Sequence, residues 1–227
     1  IARRPHGNRK LGMIALPTEL PADGEPIAHL LLTHGASQPM NSPFFETLVP
    51  ALLRDGVAVT RFEFSYMVAI RESGKRRPPP RIEKLFPEFL AAVDQLRGEI
   101  DPELKMVIGG KSMGGRIASM LADELIADGK ISGLVCLGYP FHPPKKPENL
   151  RTAHLVGLRT PALFAQGDRD PFGTREDVAG YPLSSAIQVH WVGDGDHDFG
   201  PRGKSGFTRK GNIEAAATAI AEFCRSV

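Results

Sequence analysis

The chain has 227 residues, enough for one domain with a full hydrophobic core. Its 41% hydrophobic and 24% charged residues exclude wholesale disorder, and a net charge of +2 is too small to imply nucleic-acid binding by itself. Twenty-four glycines and 20 prolines make up 19% of the chain, against an average of about 12%; the excess has no period, which excludes collagen and points to short, specifically shaped loops.

In chain order, Leu11–Leu16 and Ile27–Thr33 read as short strands. Phe44–Arg54 has helical spacing, with Ser42 as N-cap, Pro43 in the first turn and Pro50 expected to kink or split it. Val57–Phe64 is a strand, and Ile82–Arg97 a helix whose start at Ile82 or at Pro87 is left open. Leu104–Gly109 is a strand, and Ser112–Ala127 a helix that stops before Gly129. Ile131–Gly138, Pro161–Ala165 and Ala186–Val192 are strands, and Ile213–Cys224 closes the chain as a helix. Strand and helix alternate, and the strands are near-continuous apolar runs. That pattern predicts one α/β domain over residues 1–227, a mainly parallel sheet with helices on both faces.

No apolar run approaches the ~20 residues that span a bilayer, and the basic, polar Ile1–Lys10 is followed by no signal-peptide core. The two cysteines, Cys136 and Cys224, both fall in apolar segments and read as buried thiols. These features predict a cytoplasmic protein with no membrane partner.

In such a sheet, chemistry gathers at the carboxyl ends of the strands. There the apolar Met106-Val-Ile108 runs into Gly110-Lys111-Ser112-Met113-Gly114 and then a helix. This is G-x-S-x-G in the strand–turn–helix setting of a nucleophile elbow, where the turn lifts the serine hydroxyl clear of the sheet. A phosphate-binding loop would need glycine five residues before Gly110, and Lys105 stands there. The strand ending at Thr33 continues into His34-Gly35, where an oxyanion donor belongs; the expected donors are the backbone N–H groups of Ala36 and Met113. The strand ending at Gly167 leads to Asp168 and Asp170. Either can orient a histidine, Asp170 being favoured by its spacing. Of seven histidines, His197 alone follows both the acid and a strand end. No metal-ligand cluster and no cofactor motif is visible.

The segments Thr33-His-Gly-Ala36, Arg61-Phe-Glu-Phe64, Gly74-Lys-Arg-Arg-Pro-Pro79, Gly109-Gly-Lys-Ser-Met-Gly-Gly-Arg116, Gly138-Tyr-Pro-Phe-His-Pro-Pro144, Gly167-Asp-Arg-Asp-Pro-Phe172 and Gly195-Asp-His197 together resemble the α/β-hydrolase superfamily. The likeness is to its dienelactone-hydrolase-like branch, near small bacterial hydrolases grouped with a testis-expressed protein and a subunit of the non-specific-lethal complex. It implies a three-layer α/β-hydrolase fold and the set Ser112, Asp170 and His197. The dienelactone enzymes carry a cysteine nucleophile, and this chain a serine.

The loops on the carboxyl edge are basic: Ser65–Arg81 carries +4, Pro140–Leu158 +2, Asp168–Thr174 −1 and Gly193–Lys210 +1. Lys75, Arg76, Arg77, Lys111 and His142 are the candidate substrate rim, and an anionic small molecule the expected substrate. The 19 residues of Pro140–Leu158 are too few for a substantial lid. The leading expectation is a serine hydrolase, esterase- or thioesterase-like. The alternative is an interaction module of the same fold whose basic face docks an acidic partner.

Overall fold

The computed structural model describes residues 14–227. The expected strand Leu11–Leu16 lies half outside them. Its described end forms no ladder; the backbone of Ile14 is held instead by the Gln95 side chain, which donates to its carbonyl and accepts from its N–H, each at 3.0 Å.

Seven strands form one sheet: β1 (Thr18–Glu19), β2 (Ala28–Thr33), β3 (Val57–Phe62), β4 (Met106–Lys111), β5 (Gly133–Leu137), β6 (Ala162–Gly167) and β7 (Ile187–Val192). They lie in the order β1-β3-β2-β4-β5-β6-β7, with only β1 antiparallel. The helices are α1 (Pro43–Arg54), α2 (Ser65–Ser73), α3 (Phe86–Glu99), α4 (Met113–Ala127), α5 (Arg175–Ala179) and α6 (Arg209–Ser226).

The sheet is covered on both faces because its strands are apolar on both. Along β2, Leu30 and Leu32 point to the core built with α1 and α6, and Leu31 to the core built with α3 and α4. Cys136 and Cys224 are buried and unpaired, one in each core; burial raises both thiols, Cys224 to about 12.

Two expectations are corrected and one open choice is resolved. Pro50 does not split its helix: α1 runs unbroken through it. The ring sits on the exposed side, and the helix buries Phe44, Phe45, Leu48, Val49, Ala51 and Leu52. Each of the five larger side chains contributes about 1.5–3 kcal/mol, and together they outweigh the ~3 kcal/mol cost of an internal proline. Of the two starts left open for the next helix, the one at Pro87 is met to within a residue. A 3-10 turn at Ile82–Lys84 precedes α3, and Pro87 occupies its first turn, where a missing N–H costs nothing. Finally, the Ser65–Arg81 loop contains a helix. α2 buries only Met67, so it shows little apolar periodicity; it is closed by the left-handed Gly74 and tethered at its start by Ser65 N–H and Oγ to Glu88, both at 2.8 Å.

The chain goes from β2 to β3 on one side and returns to place β4 on the other. Connections therefore diverge at the carboxyl ends of β2 and β4, leaving a crevice there. Thr33 pairs with Gly110 in register, which sets the turn after Thr33 against the turn at Ser112.

Candidate active site

Ser112 holds φ 52° and ψ −113°, between β4 and the first residue of α4. This is a strained backbone for a residue with a side chain. Its N–H is fixed by the Leu137 carbonyl at 2.8 Å. The neighbouring glycines are demanded by space. A Cβ on Gly110 would lie 2.7 Å from the Gly114 carbonyl carbon, and one on Gly114 would lie 2.6 Å from the His34 oxygen. Neither contact can be relieved by a flexible side chain, because the partners are backbone.

The structure brings Ser112, His197 and Asp170 into one hydrogen-bonded row. Ser112 Oγ lies 3.0 Å from His197 Nε2, and His197 Nδ1 lies 2.8 Å from Asp170 Oδ2. Asp170 is fully buried and is held by two further donors, Gln166 Nε2 at 3.0 Å to Oδ2 and the Phe172 N–H at 2.8 Å to Oδ1. A carboxylate only accepts, so the proton on His197 sits on Nδ1 and Nε2 is free to accept from Ser112. The Phe172 ring lies 4.3 Å from the imidazole, tilted by 34°. Asp168 has another partner: its Oδ2 accepts from the Asp194 N–H at 3.0 Å.

The His197 loop is fastened along its length. Asp196 Oδ1 accepts from the Asp198 and Gly200 N–H groups. Asp194 binds Arg202 and Arg169, whose guanidinium groups hold its carboxyl down to about 2. On α6, Asn212 Nδ2 donates to the carbonyls of Gly193 and Phe199 at 3.0 and 2.9 Å. Lys111 Nζ meets Asp198 Oδ1 at 3.2 Å. Burial pushes the lysine below its usual pKa; burial would raise Asp198, but Lys111 wins and holds it low.

The turn facing Ser112 is equally fixed. His34 Nε2 accepts from the Phe64 N–H at 3.1 Å, so Nδ1 carries the proton and donates to the Gly35 carbonyl at 2.6 Å. Tyr66 donates to the Ala36 carbonyl at 3.1 Å. A Cβ on Gly35 would lie 3.6 Å from Ser112 Cβ, so Ala36 begins beside the elbow. Met113 opens α4, where the first N–H groups have no intrahelical acceptor. Ser112, His197, Ala36 and Met113 all line one cavity of about 720 Å³.

Residues 26–225 match the family described as alpha/beta hydrolase domain. The chain belongs to that family. This alpha/beta hydrolase is similar in fold to the esterase domain of a Rhodothermus marinus protein, at 18% identity, TM-score 0.64, covering 93% of this chain and 92% of that one. It is likewise similar to a dienelactone hydrolase from Anabaena variabilis, at 20% identity, TM-score 0.65 and 94% and 93% coverage. A serine hydrolase without lid from Xanthomonas campestris matches at 15% identity, TM-score 0.64 and 93% and 88% coverage. This alpha/beta hydrolase has no inserted lid at the usual place: among the described residues, the connection from β5 to β6 holds only a 3-10 turn at Ala153–Leu155.

The expected rim is redrawn. Lys75, Arg76 and Arg77 are exposed and stand outside the cavity, whose wall takes Pro79–Glu83 from that segment instead. His142 is buried and also outside it; its Nδ1 bonds the Pro143 carbonyl at 2.9 Å, and its Nε2 lies 3.7 Å from Asp177 on α5. Lys111 does line the cavity, paired with Asp198. Sequence reasoning missed Arg81, Arg116 and Arg151 in the wall. Arg116 had a signal, four residues after Ser112 and so one turn along the same helical face. It also missed Gln166, whose signal was a polar residue within an apolar strand.

Among the described residues no cluster of His, Cys, Asp and Glu could hold a metal ion. No helix there is long and apolar enough to cross a membrane.

Proposed function

We propose that the protein is a serine hydrolase that cleaves a small ester or thioester through an acyl-enzyme. The hydrogen-bonded row Ser112–His197–Asp170, opening into the cavity, is the observation that carries this reading. His197 Nε2 takes the proton of Ser112 as Oγ attacks the acyl carbon. The negative charge gathers on the carbonyl oxygen, toward the Ala36 and Met113 N–H groups and the N-terminal end of α4. His197 then gives its proton to the leaving oxygen or sulfur as that bond breaks. Water enters, loses a proton to the same nitrogen, and releases the acid with Ser112 restored. Asp170 holds the Nδ1–H tautomer and stabilises the imidazolium that forms twice per cycle.

The connection after β5 leaves the site uncapped, which suits short acyl groups better than long lipids. A fluorophosphonate probe tests the reading. Labelling of the parent and none of Ser112→Ala is expected. No labelling of a folded parent would overturn it and favour a non-catalytic interaction module.

A further inference from the structure

Three arginines line the cavity beside Ser112: Arg81 from the proline-rich segment, Arg116 from the first turn of α4 and Arg151 from the connection after β5. Other partly buried arginines, Arg61 and Arg169, are bound to carboxylates, while exposed ones such as Arg76 and Arg77 are left to solvent. Among the described residues no carboxylate stands within ion-pair distance of Arg81, Arg116 or Arg151. Lys111 is matched by Asp198, which leaves the exposed Glu83 as the other acidic group on the wall.

Arg116 and Arg151 are held from beneath by their backbones, with their side chains uncommitted. Ser119 Oγ donates to the Arg116 carbonyl at 2.8 Å, and Tyr139 donates to the Arg151 carbonyl at 2.9 Å. Arg116 Nε is buried and has no acceptor in reach. Leaving such a donor unpaired is costly, so a ligand oxygen placed there relieves a penalty. The two guanidinium groups also feel one another: burial first, and then Arg116, push Arg151 below its usual pKa. Burial and Arg116 likewise push His154 down to about 4, so that imidazole is neutral at pH 7. The Arg116 N–H bonds the Ser112 carbonyl at 3.1 Å, which places the arginine about 6 Å along the helix from the serine.

We propose that Arg116 and Arg151 together bind a carboxylate or phosphate group of the substrate, so that the ester or thioester presented to Ser112 carries an anionic group a few atoms from its acyl carbon. This rests on the reading of Ser112 as nucleophile. Planar guanidinium groups match such oxyanions through paired N–H bonds, and each charge-assisted pair is stronger than a neutral one. Arg81, exposed at the mouth, adds attraction at longer range.

The test compares kcat/KM for 4-nitrophenyl hemisuccinate and 4-nitrophenyl acetate on the parent, Arg116→Gln, Arg151→Gln and the out-of-cavity control Arg76→Gln. The parent favours the hemisuccinate. Its preference ratio falls roughly tenfold or more in each cavity variant, carried mainly by KM, and is kept in Arg76→Gln. Arg116→Lys retains part of the preference, since charge remains and the fork is lost. Raising salt lowers the hemisuccinate rate of the parent more than the acetate rate, a readout that needs no variant to fold. An unchanged ratio in both cavity variants, or an equal salt response of the two esters, overturns the proposal.

Calorimetric titration of parent and variants with succinate and with inorganic phosphate identifies which oxyanion is held. It also separates the two ideas. If the probe fails to label Ser112 but an anion binds in an Arg116-dependent way, the nucleophile reading falls and the anion site stands. If Ser112 is labelled and neither anion binds, the anion site falls alone.

Discussion

Asp168 and Asp170 leave the same strand end with different partners, and substitution separates them. Asp170→Asn keeps the shape but no longer offers His197 Nδ1–H a carboxylate, so the ring is free to take the wrong tautomer. On the proposed mechanism kcat drops by about 10³–10⁴-fold, read by steady-state ester hydrolysis. Asp168→Asn leaves an amide oxygen that can still accept from the Asp194 N–H, and its loss of kcat stays under about tenfold. The reverse order would unseat Asp170. The sequence favoured Asp170 by its spacing but kept Asp168 open, because both follow Gly167 closely and side-chain direction is what separates them. Ser112 and His197 were legible, since a glycine-flanked turn and a loop after a strand leave marks in the chain. The Phe172 ring against His197 left none. Summed loop charge suggested a basic catalytic edge but carries no direction. The rim was therefore drawn at Lys75, Arg76 and Arg77, although it is Arg81 from that segment that lines the cavity wall.

Among the elements, those buried on both sides were the readable ones. β2, β4, β5 and β6 are buried throughout because helices cover both faces, and their near-continuous apolar runs survive in sequence. α2 was opaque for the opposite reason: it buries a single residue and leans on one carboxylate, Glu88, from another helix. Pro50 was legible as a residue but misleading as a signal, since packing along α1 overrides local preference. Its removal is informative. Pro50→Ala restores the N–H that can bond the Glu46 carbonyl at an exposed position, at some cost in unfolded-chain rigidity. A net gain of about 1 kcal/mol is expected, seen as a Tm higher by about 2–4 °C in thermal melting. An unchanged or lower Tm would mean that the proline ring, and not its neighbours, fits the helix to its place.

For the molecule as a whole, the buried imidazoles set an acid limit. Burial, with Arg97 adding to it, lowers His29 from 6.5 to about 4, and burial with Arg116 does the same for His154; His34 and His190 shift the same way, again chiefly through burial. The unfolded chain binds protons at these sites that the folded chain refuses. Their contribution to stability is whole above about pH 6.5 and is lost as the pH falls from there toward about 4. Near pH 5, unfolding takes up about two protons from His29 and His154 alone. The urea midpoint should fall steadily across this window and fall less in His154→Gln; a flat profile would contradict the burial of these rings. The lowered carboxyl of Asp194 acts only further down, between 3.8 and about 2.

Beside the anchors on Asp194, Asp196 and Asp198, one side chain ties both ends of the His197 loop: Asn212 of α6, a helix that adds no strand to the sheet. The sheet can therefore outlast the alignment of Ser112 with His197. If α6 frays or lifts locally, the imidazole drifts while every ladder from β2 to β7 persists. Turnover then becomes a finer gauge of integrity than circular dichroism, vanishing at temperatures or denaturant levels where the secondary structure still reads as native.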